Sequence, residues 1–342
     1  MSNRYIPRRE FLSKLATAGL GFLISSTIGN IQSGWSSSEG YDIVIGSDSH
    51  IDLGQESTAS MESFVTDMNQ NLRPKEIFCL GDLLHNATVE EYKTYREFRD
   101  RLNAPVWECP GNHDHDPKLS NEENLVRFRE LLDYDNHFYS HLLGNNLFIL
   151  LADERQKNLP GGLSYAGYME PEQVAWFEDT LKMNQDKNII VLSHQSAKGT
   201  TVMSEQSNMQ MHPTNELERI LNTYRVDLWF SAHAHSGFDH KSAHADMFVK
   251  KGPTTFVQVA SISKRYNTNR TQSRFISLVE GTKEVLIRSR DHDVQTFDES
   301  LDAVVSLNYP VSLTATAVDL SEQLVTTWGW MKESAANRLQ YW

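Results

Sequence analysis

The chain of 342 residues is poor in Cys, with 2, and carries only 10 Pro and 18 Gly. Two cysteines cannot build a disulfide scaffold. So few prolines and glycines exclude collagen-like and low-complexity architectures. Basic charge is also short, because 32 Lys and Arg stand against 45 Asp and Glu, a formal charge of −13. An acidic surface repels polyphosphate backbones, which argues against a nucleic-acid partner. Long apolar runs are scarce as well. The uncharged stretch Leu15–Ile31 has three glycines and several hydroxyls and lies at the short limit for a hydrocarbon core of ~30 Å, so no stable membrane span is expected. Histidine is plentiful, with 13 residues, and 39% hydrophobic residues suffice to bury the core of one large domain or two ordinary ones.

Arg4, Arg8, Arg9 and Lys14 precede the uncharged stretch, with Glu10 the single acid before Ser36, which is the pattern of an export signal to be set apart from the fold. Arg8-Arg9 followed by Glu10-Phe11-Leu12-Ser13-Lys14 resembles the twin-arginine signature. A Sec-type signal and an uncleaved anchor are the alternatives, and no clean A-x-A cleavage site is present. The resemblance implies passage through the twin-arginine export machinery in the folded state, with any metal site filled beforehand, and a periplasmic or extracellular location. Residues 1–36 are therefore expected to be a signal, 37–290 the main domain and 291–342 a C-terminal extension packed on it. Without the signal, 28 basic against 44 acidic residues leave −16.

Short β-branched runs alternate with helical patterns beyond the Ser/Gly-rich segment Ser33–Gly40. The runs are Asp42–Ile45, Glu76–Leu80, Val106–Cys109, Leu147–Leu151, Asn188–Leu192, Val226–Phe230 and Thr255–Val259; helices are expected at Glu90–Leu102, Pro171–Met183 and Asn215–Tyr224. This alternation predicts an α/β fold with a substantially parallel, buried sheet. Phe275–Leu278 and Val285–Arg288, split by Gly281, read as a hairpin, and Val311–Val318 as a further alternating run before Trp328, Trp330 and Trp342.

Five of the runs lead at once into metal-binding side chains: Asp48-Ser49-His50, Gly81-Asp82-Leu83-Leu84-His85, Gly111-Asn112-His113-Asp114, Ser193-His194 and His233-Ala234-His235. Each cluster alone is an ordinary loop. Five together, each directly after a buried strand where a polar group is costly unless paired or coordinated, predict convergence at the carboxyl ends of the strands. Their carboxylate, amide and imidazole donors suit Mn, Fe or Zn, and the lack of nearby thiolates disfavours a structural zinc site. Cys79 and Cys109 read as buried free thiols, with a cross-strand disulfide as the alternative.

The ordered series D-x-H, G-D-x-x, G-N-H-D, H and x-H-x-H resembles the calcineurin-like metallophosphoesterase superfamily over about residues 41–290. Gly81 through Glu90-Glu91-Tyr92 and Pro105-Val106 to Asp114 is similar to its cyclic-nucleotide phosphodiesterase-like branch. Gly167–Leu181, with Glu172-Gln173-Val174-Ala175-Trp176-Phe177, resembles a helix common in extracellular phosphoesterases. The resemblance implies a β-sandwich of two mixed sheets flanked by helices, with two metal ions at the strand ends. The first ion would take Asp48, His50, Asp82 and His235. The second would take Asp82, Asn112, His194 and His233, with the two oxygens of Asp82 bridging the pair. A hydroxide formed from a shared water would attack a small phosphomonoester or phosphodiester, with His113 at the leaving-group oxygen and Asp114 orienting it. Two positions depart from the pattern. Ala232 stands where the family has glycine, and His85 where purple acid phosphatases have tyrosine, which speaks against a tyrosinate-ligated iron. His85 is similar to a histidine of some nuclease relatives, but the bland reading is that it only hydrogen-bonds behind the ligands. The remaining loop histidines His115, His212, His240 and His244 read as solvated, although His212 is also placed to line the pocket. The alternatives to a small-ester hydrolase are a nuclease, a phospholipid phosphodiesterase, or a binding protein for a phosphate ligand that has lost turnover.

Overall fold

The computed structural model describes residues 40–238, 247–265 and 269–314. The expected export signal, His240, His244, the end of the run at Val318 and the three C-terminal tryptophans lie outside the described residues.

The strands are β1 (Gly40–Gly46), β2 (Glu76–Cys79), β3 (Val106–Glu108), β4 (Tyr139–Leu143), β5 (Asn146–Leu151), β6 (Gly167–Tyr168), β7 (Asn188–Ser193), β8 (Met211–His212), β9 (Leu228–Ser231), β10 (Phe248–Lys251), β11 (Thr254–Gln258), β12 (Gln272–Val279), β13 (Glu284–Asp291), β14 (Thr296–Phe297) and β15 (Ala303–Ser306). The helices are α1 (Gln55–Asp67), α2 (Val89–Arg99), α3 (Asn121–Leu132), α4 (Pro171–Met183) and α5 (Thr214–Thr223).

The strands divide between two mixed sheets flanked by helices, as the family resemblance implies, and do not form the single substantially parallel sheet that the strand-helix alternation predicts. The first runs β14-β13-β12-β1-β2-β3 with β15 also on β13, and the second β10-β11-β9-β7-β5-β4; β6 and β8 pair separately. Each sheet has a parallel block, β1-β2-β3 and β5-β7-β9-β11, with antiparallel strands at its flank. The hairpin around Gly281 is present as β12 and β13, with Phe275 opposite Arg288. Val311 is not in a strand; its backbone bonds to Gly281 and Thr282 instead.

Alternation within the strands explains the layering. Ile43 and Ile45 of β1, Phe78 of β2, Phe148 and Leu150 of β5 and Ile190 and Leu192 of β7 fill the space between the sheets. The intervening residues point outward. Val44 and Ile77 meet Phe64, Tyr92, Tyr95 and Phe128 of α1, α2 and α3, whereas Leu147, Ile149 and Val191 meet Phe177, Leu217 and Ile220 of α4 and α5. Because both faces of the central strands are covered, those strands read as continuous apolar runs, and every buried Leu, Ile or Phe contributes about 1.5–3 kcal/mol.

Candidate metal centre

The loops after β1, β2, β3, β7 and β9 open on the same edge of the sandwich. Backbone bonds zip them together: Asp48 N–H donates to Gly81 O at 3.0 Å, His50 N–H to Asp82 O at 3.0 Å, and Ala232 N–H to His194 O at 2.8 Å. A Cβ on Gly81 would lie 2.5 Å from Gly111 N, and one on Gly111 2.5 Å from Asp82 N, so both glycines are required by close backbone approach. Asp48, His50, Asp82, His233 and His235 all hold left-handed backbones, with φ of 54°, 43°, 48°, 63° and 46°. Such conformations are uncommon outside glycine and cluster at functional sites.

Asp48, His50, Asp82 and His235 form one group whose donor atoms lie within 4.8 Å of one another, and Asp82, His194 and His233 form a second. Asn112, the fourth member expected of the second set, stands on the wall of the same cavity, where its Oδ1 accepts from Gln195 Nε2 at 3.1 Å. Asp82 joins the two groups through a single oxygen. Its Oδ2 lies 3.5 Å from His50 Nε2 and 3.1 Å from His194 Nε2, while Oδ1 accepts the backbone N–H of His113 at 2.7 Å. The tight turn into His113 thus engages one of the two carboxylate oxygens on which the expected bridge relies, and that oxygen keeps a second lone pair for a cation.

Buried polar atoms without partners are the test of whether a cation fits. Neither oxygen of Asp48, nor Asp82 Oδ2, nor His233 Nε2 meets a hydrogen-bonding partner in good geometry, although His235 Nε2 lies 3.1 Å from Asp48 Oδ1. Ring nitrogens face one another at contact distance, His50 Nε2 to His235 Nε2 at 3.0 Å and His233 Nδ1 to His194 Nε2 at 3.2 Å. His194 Nδ1 is engaged by Leu80 O at 2.7 Å, which directs Nε2 into the cluster. These orphaned oxygens and convergent imidazoles fit a pair of cations. Electrostatics agree. Burial opposes ionisation of Asp48, but His235 and His194 beside it hold its pKa below the ordinary carboxylate value. Burial and the neighbouring His194 push His233 down to about 3, the neutral form that ligates metals.

His113 lies beside the cluster, its ring 4.8 Å from that of His50 and stacked on His85 at 5.2 Å. Its Nδ1 bonds to His85 O at 2.8 Å. Asp114 does not orient it, contrary to expectation. The Asp114 carboxylate instead accepts from the backbone N–H groups of Gly111 at 2.8 Å, Leu84 at 3.1 Å and Leu83 at 3.4 Å, tying the two glycine loops together. Burial and the nearby charge of Asp82 push it up to about 8. His85 holds His113 through its carbonyl, and its Nε2 is 3.3 Å from Arg265 Nη1. His50, His85 and His113 form a further group of clustered ring nitrogens. His115 is not solvated: it is buried, and its Nε2 donates to Asp153 O at 2.9 Å. His212 bonds to Ser207 O and does not line the cavity. Cys79 and Cys109 are free and buried.

Two contributors were not singled out from the sequence. Gln195, fully buried, spans Asn112 Oδ1 and Asp153 Oδ2, both at 3.1 Å. Asp153 follows β5 immediately, the same strand-end signal as the five clusters but without a histidine to mark it. Burial raises its pKa to about 7.

The calcineurin-like phosphoesterase family model matches residues 41–237. The chain is 34% identical over 129 residues to a probable glycerophosphodiester phosphodiesterase of Arcobacter nitrofigilis, covering 36% of this chain and 43% of that protein. It is 26% identical over 171 residues to a 3',5'-cyclic adenosine monophosphate phosphodiesterase of Haemophilus influenzae, covering 49% and 57%. A 3',5'-cyclic-nucleotide phosphodiesterase of Nostoc is 25% identical over 217 residues, covering 62% and 75%. The chain thus spans about half the length of the first two of these relatives.

Proposed function

The chain belongs to the calcineurin-like phosphoesterase family, and from that premise we propose that it is an exported metal-dependent hydrolase of a small phosphate ester. The observation that carries this reading is the pair of ligand groups that share Asp82, with buried carboxylate oxygens that face ring nitrogens but make no hydrogen bond of good geometry. Asp48, His50, Asp82 and His235 would hold one ion, and Asp82, Asn112, His194 and His233 the other; the O/N donor set suits Mn, Fe or Zn. Such a pair, when bound, supplies a water of lowered pKa and positive charge for the phosphate oxygens.

The chain's own residues do the rest. Because His113 Nδ1 is engaged by the His85 carbonyl, its Nε2 is the nitrogen that can carry a proton to a leaving alkoxide. Asp114 fixes the Gly111 turn and the backbone after Asp82, and so holds His113 and Asn112 in place by way of the main chain. The acidic balance of the chain favours a small ester over a polynucleotide. Export rests on Arg8-Arg9 and the uncharged stretch behind them. A reporter fused behind residues 1–36 should leave the cytoplasm, and replacing both arginines by lysine should stop it.

Activity is tested with bis-p-nitrophenyl phosphate and p-nitrophenyl phosphate. Mn-loaded protein should hydrolyse at least one of them and lose that activity to a chelator. Binding of less than one ion per chain together with no turnover would leave the family fold as a binding protein and overturn the proposal.

A further inference from the structure

The chain crosses from the second sheet to the first after β11, and the start of that crossing, residues 258–263, is buried throughout. This strap grips ligand-bearing loops at both of its ends. At the near end Val259 N–H donates to Ser231 O at 2.7 Å and Gln258 Nε2 to Ala232 O at 2.9 Å, just before His233 and His235. At the far end Ile262 N–H donates to Ser47 O at 2.9 Å, and Asp48 O accepts from Ser263 N–H at 3.0 Å and Ser261 Oγ at 2.9 Å. The single proton of Ser261 Oγ is shared with Ser263 O at 2.7 Å, which clips the two carbonyls together. Asp48 and His235 come from opposite sheets yet stand 3.1 Å apart, Oδ1 to Nε2, so the strap spans the gap across which they face each other.

Stability alone does not account for these residues. The left-handed backbone of Asp48 is strained and persists only where its surroundings over-determine it; here its N–H is held by Gly81 O and its carbonyl by two donors of the strap. Gln258 is fully buried with its Oε1 lacking a donor among the described residues, a cost that a leucine would avoid. Arg274 of β12, also fully buried, donates its Nε to Gln258 O at 2.9 Å. Its other bonds go to Ser289 Oγ and Met247 Sδ, neither a carboxylate, while the rings of Phe238 and Phe248 lie 4.0 and 4.6 Å from its guanidinium. A cation so buried is costly, and aromatic faces offset only part of that. What Ser261, Gln258 and Arg274 have in common is the loops they hold.

We propose that these three are positioning residues for the ions, and that Ser261 governs only the ion held by Asp48, His50, Asp82 and His235. This rests on the two-ion reading above. Ser261 fixes the main chain of Asp48, which belongs to that ligand group alone. Gln258, backed by Arg274, fixes the turn that carries His233 of one group and His235 of the other. Asn112 and His194 have braces of their own in Gln195 and Leu80 O, so loosening the strap at Ser261 leaves them in place.

The test is an Mn titration of the metal-free full chain, read by electron paramagnetic resonance of free and bound Mn. The wild type should take up two ions. Ser261→Ala should weaken one of them by about 10–100-fold and leave the other unchanged, whereas Gln258→Leu should weaken both. In an Asp48→Ala background, Ser261→Ala should change Mn binding no further, because substitutions that act through one group are not additive. Circular dichroism of the metal-free variants checks the fold. Should Ser261→Ala fail to fold, the same comparison is made with Ser261→Cys, which keeps the side-chain volume and only a weak donor. Wild-type affinity for both ions in the Ser261 variant, equal weakening of both, or a further loss in the Asp48→Ala background would each overturn this inference and leave the phosphoesterase reading standing. A wild-type chain that takes up fewer than two ions overturns the two-ion reading, and this inference with it.

Discussion

Asp82 and His113 are adjacent through a backbone bond yet have separable tasks. Asp82 Oδ2 is common to both ligand groups, so Asp82→Ala should abolish stoichiometric binding of two Mn ions by metal analysis as well as turnover. His113→Ala should retain both ions while lowering kcat by about 10²–10⁴, the usual contribution of a positioned acid. Retention of two ions by the Asp82 variant would refute the shared ligand. The Gln195 side chain reaches the centre through Asn112, and Gln195→Leu should weaken Mn binding by about 10–100-fold in a titration, as loss of a hydrogen bond behind a ligand does. The histidine-bearing motifs were legible from residue order, because each follows a buried strand at once. Gln195 was not, since nothing local distinguishes a glutamine that faces a site from one that faces water. The role expected of Asp114 failed for a related reason. Sequence adjacency to His113 says nothing about direction, and three backbone N–H groups compete for its carboxylate.

Elements are tied to one another by a second buried polar cluster that does not line the cavity. Asp67, at the end of α1, receives Arg290 of β13 at 2.7 and 2.8 Å and bonds to His292 Nδ1 at 2.7 Å, while His292 Nε2 meets Ser273 Oγ of β12 at 2.9 Å. Burial opposes ionisation of Asp67, but the Arg290 and His292 hydrogen bonds hold its pKa below the ordinary value. A depressed carboxylate pKa stabilises the fold fully above the unfolded-state value near ~4, and the stabilisation is lost progressively as pH falls from there through the lower folded-state value. Asp67→Ala should thus cost about 3–5 kcal/mol in denaturant unfolding at pH 7, because it strands a buried guanidinium, and the gap to wild type should narrow below pH ~4. The strongly patterned elements were legible: α4 begins at Pro171 and the β12–β13 hairpin turns at Gly281, where φ is 77°. Helix α1 was harder to read, as its Ser- and Thr-rich sequence buries Ser57 and Ser60 beside Met61, Phe64 and Val65 and shows little apolar periodicity.

At the scale of the molecule, the two sheets are joined by one apolar layer in which Phe78 of β2 stacks on Phe148 of β5, centroids 4.9 Å apart and 17° between planes. Phe148→Ala should cost about 3–5 kcal/mol and leave a single unfolding transition by both far-ultraviolet circular dichroism and tryptophan fluorescence; two separate transitions would show that the sheets unfold independently. Since the candidate ligands come from both sheets, Asp82 from the first and His194 and His233 from the second, Mn at about 100 times its Kd should stabilise the whole protein by about 2.7 kcal/mol per site, read as a rise in Tm. The sequence by itself determined the α/β character, the strand-end motifs and the donor types, because burial on both faces leaves unbroken apolar runs and a polar cluster at their ends stands out against them. Tertiary structure alone decided which strands pair within each sheet, that the Asp114 carboxylate ties the Gly81 and Gly111 loops together, and that Gln195 spans Asn112 and Asp153. Those outcomes depend on side-chain direction and on pairing between residues far apart in the chain, which no local pattern encodes.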